Sequence, residues 1–118
     1  MKIKEIAKLL DAEVLCGEDM LEGEVKSACG CDMMSDVLAF VKEQAVLITG
    51  LCNPQVVRTA QMMDMVCIVF VRGKRPPEEV IALAREEGIV LLATTERMYV
   101  ACGKLYGNGL SGGSVVNG

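Results

Sequence analysis

Apolar positions follow two spacings along this chain, one typical of buried strands and one typical of helix faces. Residues 45–49 and 65–71 are continuous apolar runs, the pattern of strands that are covered on both sides. Residues 89–93 have the same pattern. Between these runs, apolar residues recur three and four positions apart, which places them on one face of a helix. The chain therefore predicts repeated strand–helix–strand units, as in a parallel sheet covered by helices.

The N-terminal part adds a helix and two shorter strands. Residues 2–10 predict an amphipathic helix, and residues 12–16 predict a first strand. Residues 25–31 alternate small and polar side chains, as a second strand would. The glycine within it, Gly30, indicates a bulge or a close approach of another backbone.

Two helix starts are visible in the middle of the chain. Ser35 is a typical N-cap residue, and Asp36 would follow it in the first turn, where the helix dipole favours a carboxylate. The core face of that helix is predicted to carry Val37, Leu38, Phe40 and Val41. Asn53 and Pro54 form the second start, because Asn caps helices and Pro suits the first helical position. The core face of this second helix is predicted to carry Val56, Val57, Ala60 and Met63.

Two further helices complete the pattern. One carries Val80, Ile81 and Ala84 inward and stops at Gly88, a common C-terminal glycine position. Thr94 or Thr95 is predicted to cap the last helix, whose apolar stripe is Met98, Ala101, Cys102 and Leu105. The elements together predict a three-layer α/β/α sandwich with a mainly parallel sheet of about four or five strands. We expect one domain over residues 1–110 and a flexible, Gly- and Ser-rich tail over residues 111–118 that is mobile or pairs with a partner chain.

Length and composition narrow the classes of function. A chain of 118 residues with 52 % hydrophobic residues suits one packed domain. No apolar run approaches the roughly 20 residues that span a bilayer, and the opening MKIKEIAKLL is not a signal peptide. We therefore expect a cytoplasmic protein with no membrane partner. A net charge of −4 and 3 % aromatic residues argue against a nucleic-acid partner.

The titratable residues argue against catalysis. The chain has no histidine, which excludes Ser-His-Asp and Cys-His catalysis and histidine-based metal sites within it. Asp32, Asp36 and Asp64 are the carboxylates nearest the predicted strand ends or helix starts, and they form no pair with divided acid and base roles. We therefore expect no enzyme activity and no catalytic residues.

The six cysteines are predicted to be free thiols, because the chain lacks the signs of export. Cys29 and Cys31 are two residues apart, and such a pair can bind a soft metal or take part in redox chemistry, with Cys52 close by across the strand ends. The competing interpretation is that cysteines fill space as small apolar side chains. We expect no cofactor and no metal, and keep a thiol-metal or redox protein as an alternative.

The most specific candidate site is an anion site at the carboxyl ends of the strands, where open α/β sheets bind ligands. Thr49 and Gly50 leave one predicted strand, and Asn53 opens the following helix, whose free N–H groups would favour an anion. Arg58 lies one turn along that helix. The next strand ends in Arg72, Gly73 and Lys74, whose cations could close over a phosphate. The competing interpretation is an ordinary capped helix beside a solvated basic turn.

Three segments carry a family resemblance: ITGLCNPQVVRTA, IVFVRGKRPPEEVIALAREEGIVLLAT and RMYVACGKLY. They resemble a stand-alone DRTGG domain over roughly residues 1–110. The resemblance implies a fold similar to the N-terminal domain of HPr kinase/phosphorylase. It also implies a regulatory or dimer-forming role, as in phosphotransacetylases and CBS-domain pyrophosphatases. In the family pattern Gly-Asp-Arg follows the first buried strand and Thr-Gly-Gly the next, whereas here Leu51 and Cys52 follow Gly50, and only Gly73 matches the second motif.

These observations predict a regulatory or ligand-sensing module, with a phosphate-bearing small molecule or nucleotide as its ligand. The alternative is a pure dimerisation or protein-interaction module, in which the strand-end residues are only caps and turns. A homodimer is expected in either case. Its interface is sought at Met33 and Met34 and on the short helix after Asn53.

Overall fold

The computed structural model describes residues 1–39 and 44–112 of the chain. The helices are α1 (Ile3–Leu9), α2 (Met34–Leu38), α3 (Pro54–Met62), α4 (Glu78–Glu87) and α5 (Met98–Gly107). The strands are β1 (Glu13–Cys16), β2 (Ser27–Gly30), β3 (Ala45–Thr49), β4 (Cys67–Phe70) and β5 (Val90–Ala93). Among the described residues, no helix has the length and apolar character needed to cross a membrane.

The strands form one five-stranded sheet in the order β1-β5-β4-β3-β2. Strands β2 to β5 are parallel, and β1 joins the edge of the sheet antiparallel to β5. Within the described residues, one helix lies in each connection from β2 to β5, as crossovers between parallel neighbours require. The prediction of a mainly parallel α/β sheet is therefore confirmed.

Helices cover both faces of the sheet, and for this reason the central strands are continuously apolar. On one face, Leu47 of β3 packs in a cluster with Val56 of α3 and Val80 of α4, and α2 joins the same layer. On the other face, Ile48 packs in a cluster with residues of α1 and α5. Successive side chains of a strand point to opposite faces, so each must be apolar when both faces are buried.

Helix α2 differs from its prediction. Its N-cap is Met33 in extended conformation, whose carbonyl accepts the N–H groups of Asp36 and Val37, so the assignment of Ser35 as the cap is wrong. The helix spans only five residues, and Val37 and Met34 are the side chains that it buries. Leu38 is 41 % exposed, contrary to the prediction, because so short a helix turns only one narrow face to the sheet. The predicted core positions Phe40 and Val41 lie outside the described residues.

The start of α5 also differs. Its N-cap is Arg97, so neither Thr94 nor Thr95 caps it. Thr94 is buried instead, and its hydroxyl donates to the Leu10 carbonyl at 2.7 Å while accepting the Glu96 N–H at 3.2 Å. Its hydroxyl is therefore used to tie the end of β5 to the end of α1, which leaves it unable to cap a helix three residues later.

Gly30 lies at a close approach, but the approaching group is a side chain and not a backbone. Strand β2 pairs with β3 in regular register, from Ser27 opposite Ala45 to Gly30 opposite Ile48, so no bulge is present there. A Cβ at Gly30 would lie 2.6 Å from the Sγ of Cys102 on α5. The glycine thus allows α5 to pack close to the edge of the sheet.

The chain after α5 returns to the sheet. Leu110 is buried, and the carbonyl of Ser111 accepts the N–H of Ala28 on the edge strand β2 at 2.9 Å. Ser111 is therefore attached to the domain of its own chain, although the composition predicts that it begins the flexible tail. Gly112 is also described, and residues 113–118 of the predicted tail lie outside the described residues.

Candidate functional site

The turns that follow the parallel strands meet at one edge of the sheet, as predicted. Strands β2, β3, β4 and β5 all point the same way, so the residues after Gly30, Thr49, Phe70 and Ala93 are neighbours. These turns contain most of the predicted anion-site residues. Their hydrogen bonds show which groups are available to a ligand and which are already engaged.

Asp32 holds the turn that follows β3. Its Oδ1 accepts the backbone N–H of Gly50 at 2.7 Å and the hydroxyl of Thr49 at 3.0 Å. The Thr49 oxygen in turn accepts the N–H of Leu51 at 3.1 Å. Two donors that were predicted to face a ligand anion are therefore already bonded to a carboxylate of the protein itself.

This structural role of Asp32 was not predicted from the sequence, which suggested only an acid or base role for the residue. The register of the observed sheet explains it. Gly30 pairs with Ile48 in the parallel register of β2 and β3, so residue 32 lies beside residue 50. A carboxylate placed beside a glycine N–H at a strand end is a natural hydrogen-bond partner for it.

The turn after β4 is tight and is tied to the neighbouring strand end. Arg72 and Gly73 both have left-handed backbone conformations, with φ of 60° and 70°. The N–H of Arg72 donates to the Glu96 carbonyl at 2.8 Å, and the N–H of Gly73 donates to the Thr94 carbonyl at 2.9 Å. Gly73 adopts this conformation without strain, whereas Arg72 does so against its side-chain preference. The bonds to the turn after β5 hold Arg72 in place.

The Arg72 side chain crosses from β4 to lie against Gly50. A Cβ at Gly50 would collide with the terminal Nη2 of Arg72 and would lie 3.1 Å from its Cζ. Gly50 therefore provides the space that the guanidinium occupies. This contact brings two predicted site residues together, and no pattern in the sequence indicates it.

Lys74 and Arg72 also lie close to the half-buried thiol of Cys52. Burial raises the pKa of Cys52, and the nearby negative charge of Asp32 adds to the effect, while the cations of Lys74 and Arg72 oppose it. The net direction is upward, so this thiol stays protonated at neutral pH and is a weak nucleophile. The same interactions locate Lys74, Arg72 and Asp32 around one point, beside the turn of residues 50–53.

Asn53 and Arg58 are placed on α3 as predicted. Asn53 is the N-cap, with extended backbone and Pro54 behind it, but its side chain makes no capping hydrogen bond. Arg58 is exposed in the second turn of α3. Within residues 1–39 and 44–112, no hydrogen bond or ion pair links the Arg58 guanidinium to the turns at the strand ends, so it is the most separate of the predicted residues.

Arg75, the third cation of the basic turn, is engaged elsewhere. Its guanidinium donates two hydrogen bonds to the carboxylate of Glu13 on β1, at 2.6 and 3.3 Å. This pair raises the pKa of Arg75 and lowers the pKa of Glu13. Arg72 and Lys74 have no such ion pair within the described part of the chain, so their charge is the part of this turn that is open to a ligand.

The cysteines are spread through the domain. Cys67 is fully buried, and burial raises its pKa strongly. Cys31 donates through Sγ to the Met33 carbonyl at 3.4 Å, and both Cys29 and Cys31 pack against the cluster under α2, α3 and α4. In the described ranges, no three side chains of the Cys, Asp and Glu types are arranged to hold a metal ion.

Comparisons with known proteins agree with the fold. The sequence profile of the DRTGG domain matches residues 5–105. A similar solved structure is the crystal structure of the CBS and DRTGG domains of the regulatory region of Clostridium perfringens pyrophosphatase, complexed with the activator diadenosine tetraphosphate. The two structures superimpose with a TM-score of 0.70, and their sequences are 18 % identical. The match covers 88 % of this chain and 45 % of the other, so this chain spans less than half the length of that structure. No curated protein sequence matches the chain.

Proposed function

The chain belongs to the DRTGG domain family, and from this premise we propose that it is a non-catalytic regulatory module that senses a phosphate-bearing small molecule or nucleotide. The ligand's phosphate would bind at the carboxyl ends of β3 and β4. The six free thiols suit a module that acts in the reducing cytoplasm. The family's relationship to the N-terminal domain of HPr kinase/phosphorylase stays a prediction.

The observation that carries this proposal is the position of the Arg72 guanidinium. It lies against the glycine that follows β3, and within the described residues it has no carboxylate partner. A planar guanidinium with free donors at a strand end is suited to bidentate contact with phosphate oxygens. The left-handed turn at Arg72 and Gly73 fixes the backbone from which this side chain extends.

Lys74 supplies a second cation near the same point. Asp32 restricts which groups of the site a phosphate can contact. Because Asp32 occupies the Gly50 N–H and the Thr49 hydroxyl, a phosphate would rest on the cationic side chains and not on these donors. Thr49 and Gly50 then shape the site, Gly73 forms its turn, and Asn53 presents the start of α3 beside it. Arg58, further along α3, would meet only the distal part of a larger ligand.

Three features of the chain support a role without catalysis. The chain offers no histidine, and the strand-end carboxylate, Asp32, is engaged by two donors of the protein. The Cys52 thiol, which lies beside the cations, has a raised pKa and is a weak nucleophile. The pyrophosphatase structure adds support by likeness, since it is described as a regulatory region that contains a DRTGG domain together with a nucleotide activator.

A thermal-shift panel on the reduced protein tests the proposal. The panel contains adenine and uridine nucleotides, acyl phosphates, sugar phosphates and inorganic phosphate. A ligand at about 100 times its Kd adds about 2.7 kcal/mol to the free energy of unfolding, which raises Tm by several degrees in a domain of this size. The proposal predicts a shift with one ligand class that Arg72→Ala and Lys74→Ala reduce.

Arg75→Ala is the matched control, because it removes a cation from the same turn whose guanidinium is paired with Glu13. Arg75→Ala should change the Tm of the ligand-free protein, but the increase in Tm caused by the ligand should be the same as in the wild type. A panel with no shift, or a shift that survives both Arg72→Ala and Lys74→Ala, would contradict a phosphate site at the strand ends.

A second candidate function, a protein-interaction module or homodimer, is favoured by exposed aromatic side chains on α5. Tyr99 and Tyr106 are 90 % and 74 % exposed there, which is unusual for two aromatic residues on one helix. Met33 and Met62, near the dimer positions expected from the sequence, are also exposed. Sedimentation equilibrium of the wild type tests this function. If Tyr106→Ser weakens dimerisation, the interface lies on α5. If Met62→Ser weakens it, the interface lies on α3.

A further inference from the structure

A cavity of about 350 Å³ lies on the face of the sheet opposite α3, between α5 and the edge strand β2. It is mainly apolar and is lined by Ala28, Gly30, Ile48, Tyr99, Cys102, Gly103, Tyr106, Leu110, Ser111 and Gly112. Its volume falls in the range of about 300–1,000 Å³ that is typical of small-molecule sites. No residue predicted from the sequence as a ligand contact lines it.

One face of α5 forms the wall of this cavity. Tyr99, Gly103 and Tyr106 are separated by four and three positions, so they share a helix face, and the two tyrosines are about 10 Å apart along the axis. A Cβ at Gly103 would meet no atom within 4 Å, so the glycine leaves a gap between the two rings. Two aromatic side chains that flank an open, apolar gap are suited to stacking against a flat ring.

The cavity and the Arg72 guanidinium lie on the same side of the sheet. Ile48 faces the cluster of α1 and α5, and Gly50, two residues later, faces the same way because side chains alternate along a strand. The Arg72 guanidinium occupies the space where a Gly50 Cβ would point. It therefore lies past the end of β3, two residues beyond the cavity residue Ile48, and is not itself part of the cavity lining.

A second contact places the start of α5 beside Arg72. The backbone N–H of Arg72 donates to the carbonyl of Glu96, three residues before Tyr99. The nearby cation Lys104 is paired with the Glu96 carboxylate at 2.6 Å, so it does not compete for a ligand anion. Within the described residues, Arg72 and Arg97, the N-cap of α5, are thus the cations without an ion pair near the Tyr99 end of the apolar cavity.

We propose that the cavity and Arg72 form one site for a nucleotide, with the base in the cavity against Tyr99 and Tyr106 and the phosphate on the Arg72 guanidinium; this assignment rests on the function proposed above. The apolar cavity accepts the planar heteroaromatic base. The Arg72 guanidinium complements the negative charge of the phosphate, which is joined to the base through the ribose. An uncharged apolar ligand would leave Arg72 without a role, and a simple phosphate would leave the cavity empty.

Gly103→Leu gives the sharpest test, because its side chain would fill the cavity and leave Arg72 untouched. Leucine is a better helix former than glycine, and the site has room for a Cβ, so the variant should fold with an equal or higher Tm. Gly107→Leu is the matched control. It lies on the same helix, a Cβ there also meets nothing within 4 Å, and it does not line the cavity.

Calorimetric titration of the full chain with ADP, adenosine and ribose 5-phosphate then separates the two halves of the ligand. We expect ADP to bind more tightly than either fragment. Gly103→Leu and Tyr99→Ala should lower the affinity for ADP by about ten-fold or more, the size of effect expected when base stacking is lost. Gly107→Leu should bind ADP with the wild-type affinity. Arg72→Ala should weaken ADP and leave adenosine unchanged.

The outcomes distinguish this inference from the function on which it rests. If Arg72→Ala weakens ADP but Gly103→Leu and Tyr99→Ala do not, the strand-end phosphate site stands and the cavity is not its base site. If adenosine binds in the cavity with full ADP affinity and Arg72→Ala has no effect, the single two-part site is wrong. If neither ADP nor adenosine binds the wild type, the nucleotide assignment is overturned.

Discussion

The carboxylate of Asp32 accepts the backbone N–H of Gly50 at 2.7 Å, and this bond joins the ends of two neighbouring parallel strands. The same oxygen accepts the hydroxyl of Thr49, so one side chain fixes the turn that follows β3. That turn holds Gly50 under the Arg72 guanidinium. The shape of the candidate site therefore depends on a residue that makes no contact with the proposed ligand.

Replacing Asp32 tests this dependence. Asp32→Ala removes the acceptor of both bonds and leaves the Gly50 N–H without its partner, so we expect a loss of about 1–2 kcal/mol in the free energy of unfolding. Asp32→Asn keeps the Oδ1 position that accepts both bonds and removes only the negative charge, so it should lose less. Urea unfolding of the three proteins measures both values. Equal stability of Asp32→Ala and the wild type would show that the turn does not need this carboxylate.

Gly50→Ala should displace Arg72 more than it destabilises the domain. The added methyl group collides with the far end of a flexible side chain, which can move away at small cost. We expect a change of less than about 1 kcal/mol in stability together with a clear loss of ligand affinity. In an Arg72→Ala background the Gly50→Ala change should have no further effect on affinity. Independent, additive effects in this double-mutant cycle would contradict the contact.

Gly30→Ala should be destabilising for a different reason. Its methyl group would lie 2.6 Å from the Sγ of Cys102, a short side chain that can yield only by a change of rotamer or a shift of α5. We expect a loss of about 1–3 kcal/mol, the usual range for overpacking. The double variant Gly30→Ala/Cys102→Ala should recover much of it, since the two methyl groups fit where the sulfur was. Chemical unfolding that finds no recovery would point to a cause other than this contact.

The buried thiol of Cys67 predicts a loss of stability at alkaline pH. Burial raises the pKa of Cys67 in the folded protein, whereas in the unfolded chain the thiol ionises at about pH 8.5. Below that pH the thiol is neutral in both the folded and the unfolded state, so its ionisation takes nothing from the free energy of unfolding. As pH rises above it, the unfolded state loses its proton first and stability falls.

Unfolding of the reduced protein in urea between pH 7 and pH 10 measures this slope. Cys67→Ala should lower stability at pH 7 through the cavity that it leaves, but it should make the fall with pH shallower. Burial also raises the pKa values of Cys16, Cys52 and Cys102, so these thiols add to the alkaline dependence that remains. The prediction fails if the wild type and Cys67→Ala lose stability in parallel over this range.

The sheet was predictable from sequence because both of its faces are covered. Continuous apolar runs as short as residues 45–49 are typical of strands buried on both sides, and Gly88 and Pro54 mark helix boundaries by backbone conformation alone. Helix α2 was harder to predict, because its five residues carry too little periodicity to fix a start. Local preference favours Ser35 as its cap, whereas in the structure the Met33 carbonyl takes that place.

The candidate site was predictable in position but not in its contacts. Parallel strands bring their carboxyl ends together, so the grouping of Gly50, Arg72 and Lys74 follows from the fold class. The contact of the Arg72 guanidinium with Gly50 depends on a left-handed residue that no sequence pattern marks. The cavity beside α5 was not predictable either, since it arises where Gly103 leaves a gap between two exposed tyrosines of a helix whose apolar stripe predicts core packing.

The most direct measurement is an ADP titration of the wild type, Arg72→Ala and Arg75→Ala by isothermal calorimetry. A phosphate held by the Arg72 guanidinium predicts a Kd at least about ten-fold higher for Arg72→Ala, as expected when a charged hydrogen-bond donor is lost. Arg75→Ala, whose cation is paired with Glu13, should keep the wild-type Kd. Equal affinity of Arg72→Ala and the wild type, or no binding of ADP to the wild type, would contradict a nucleotide phosphate at this residue.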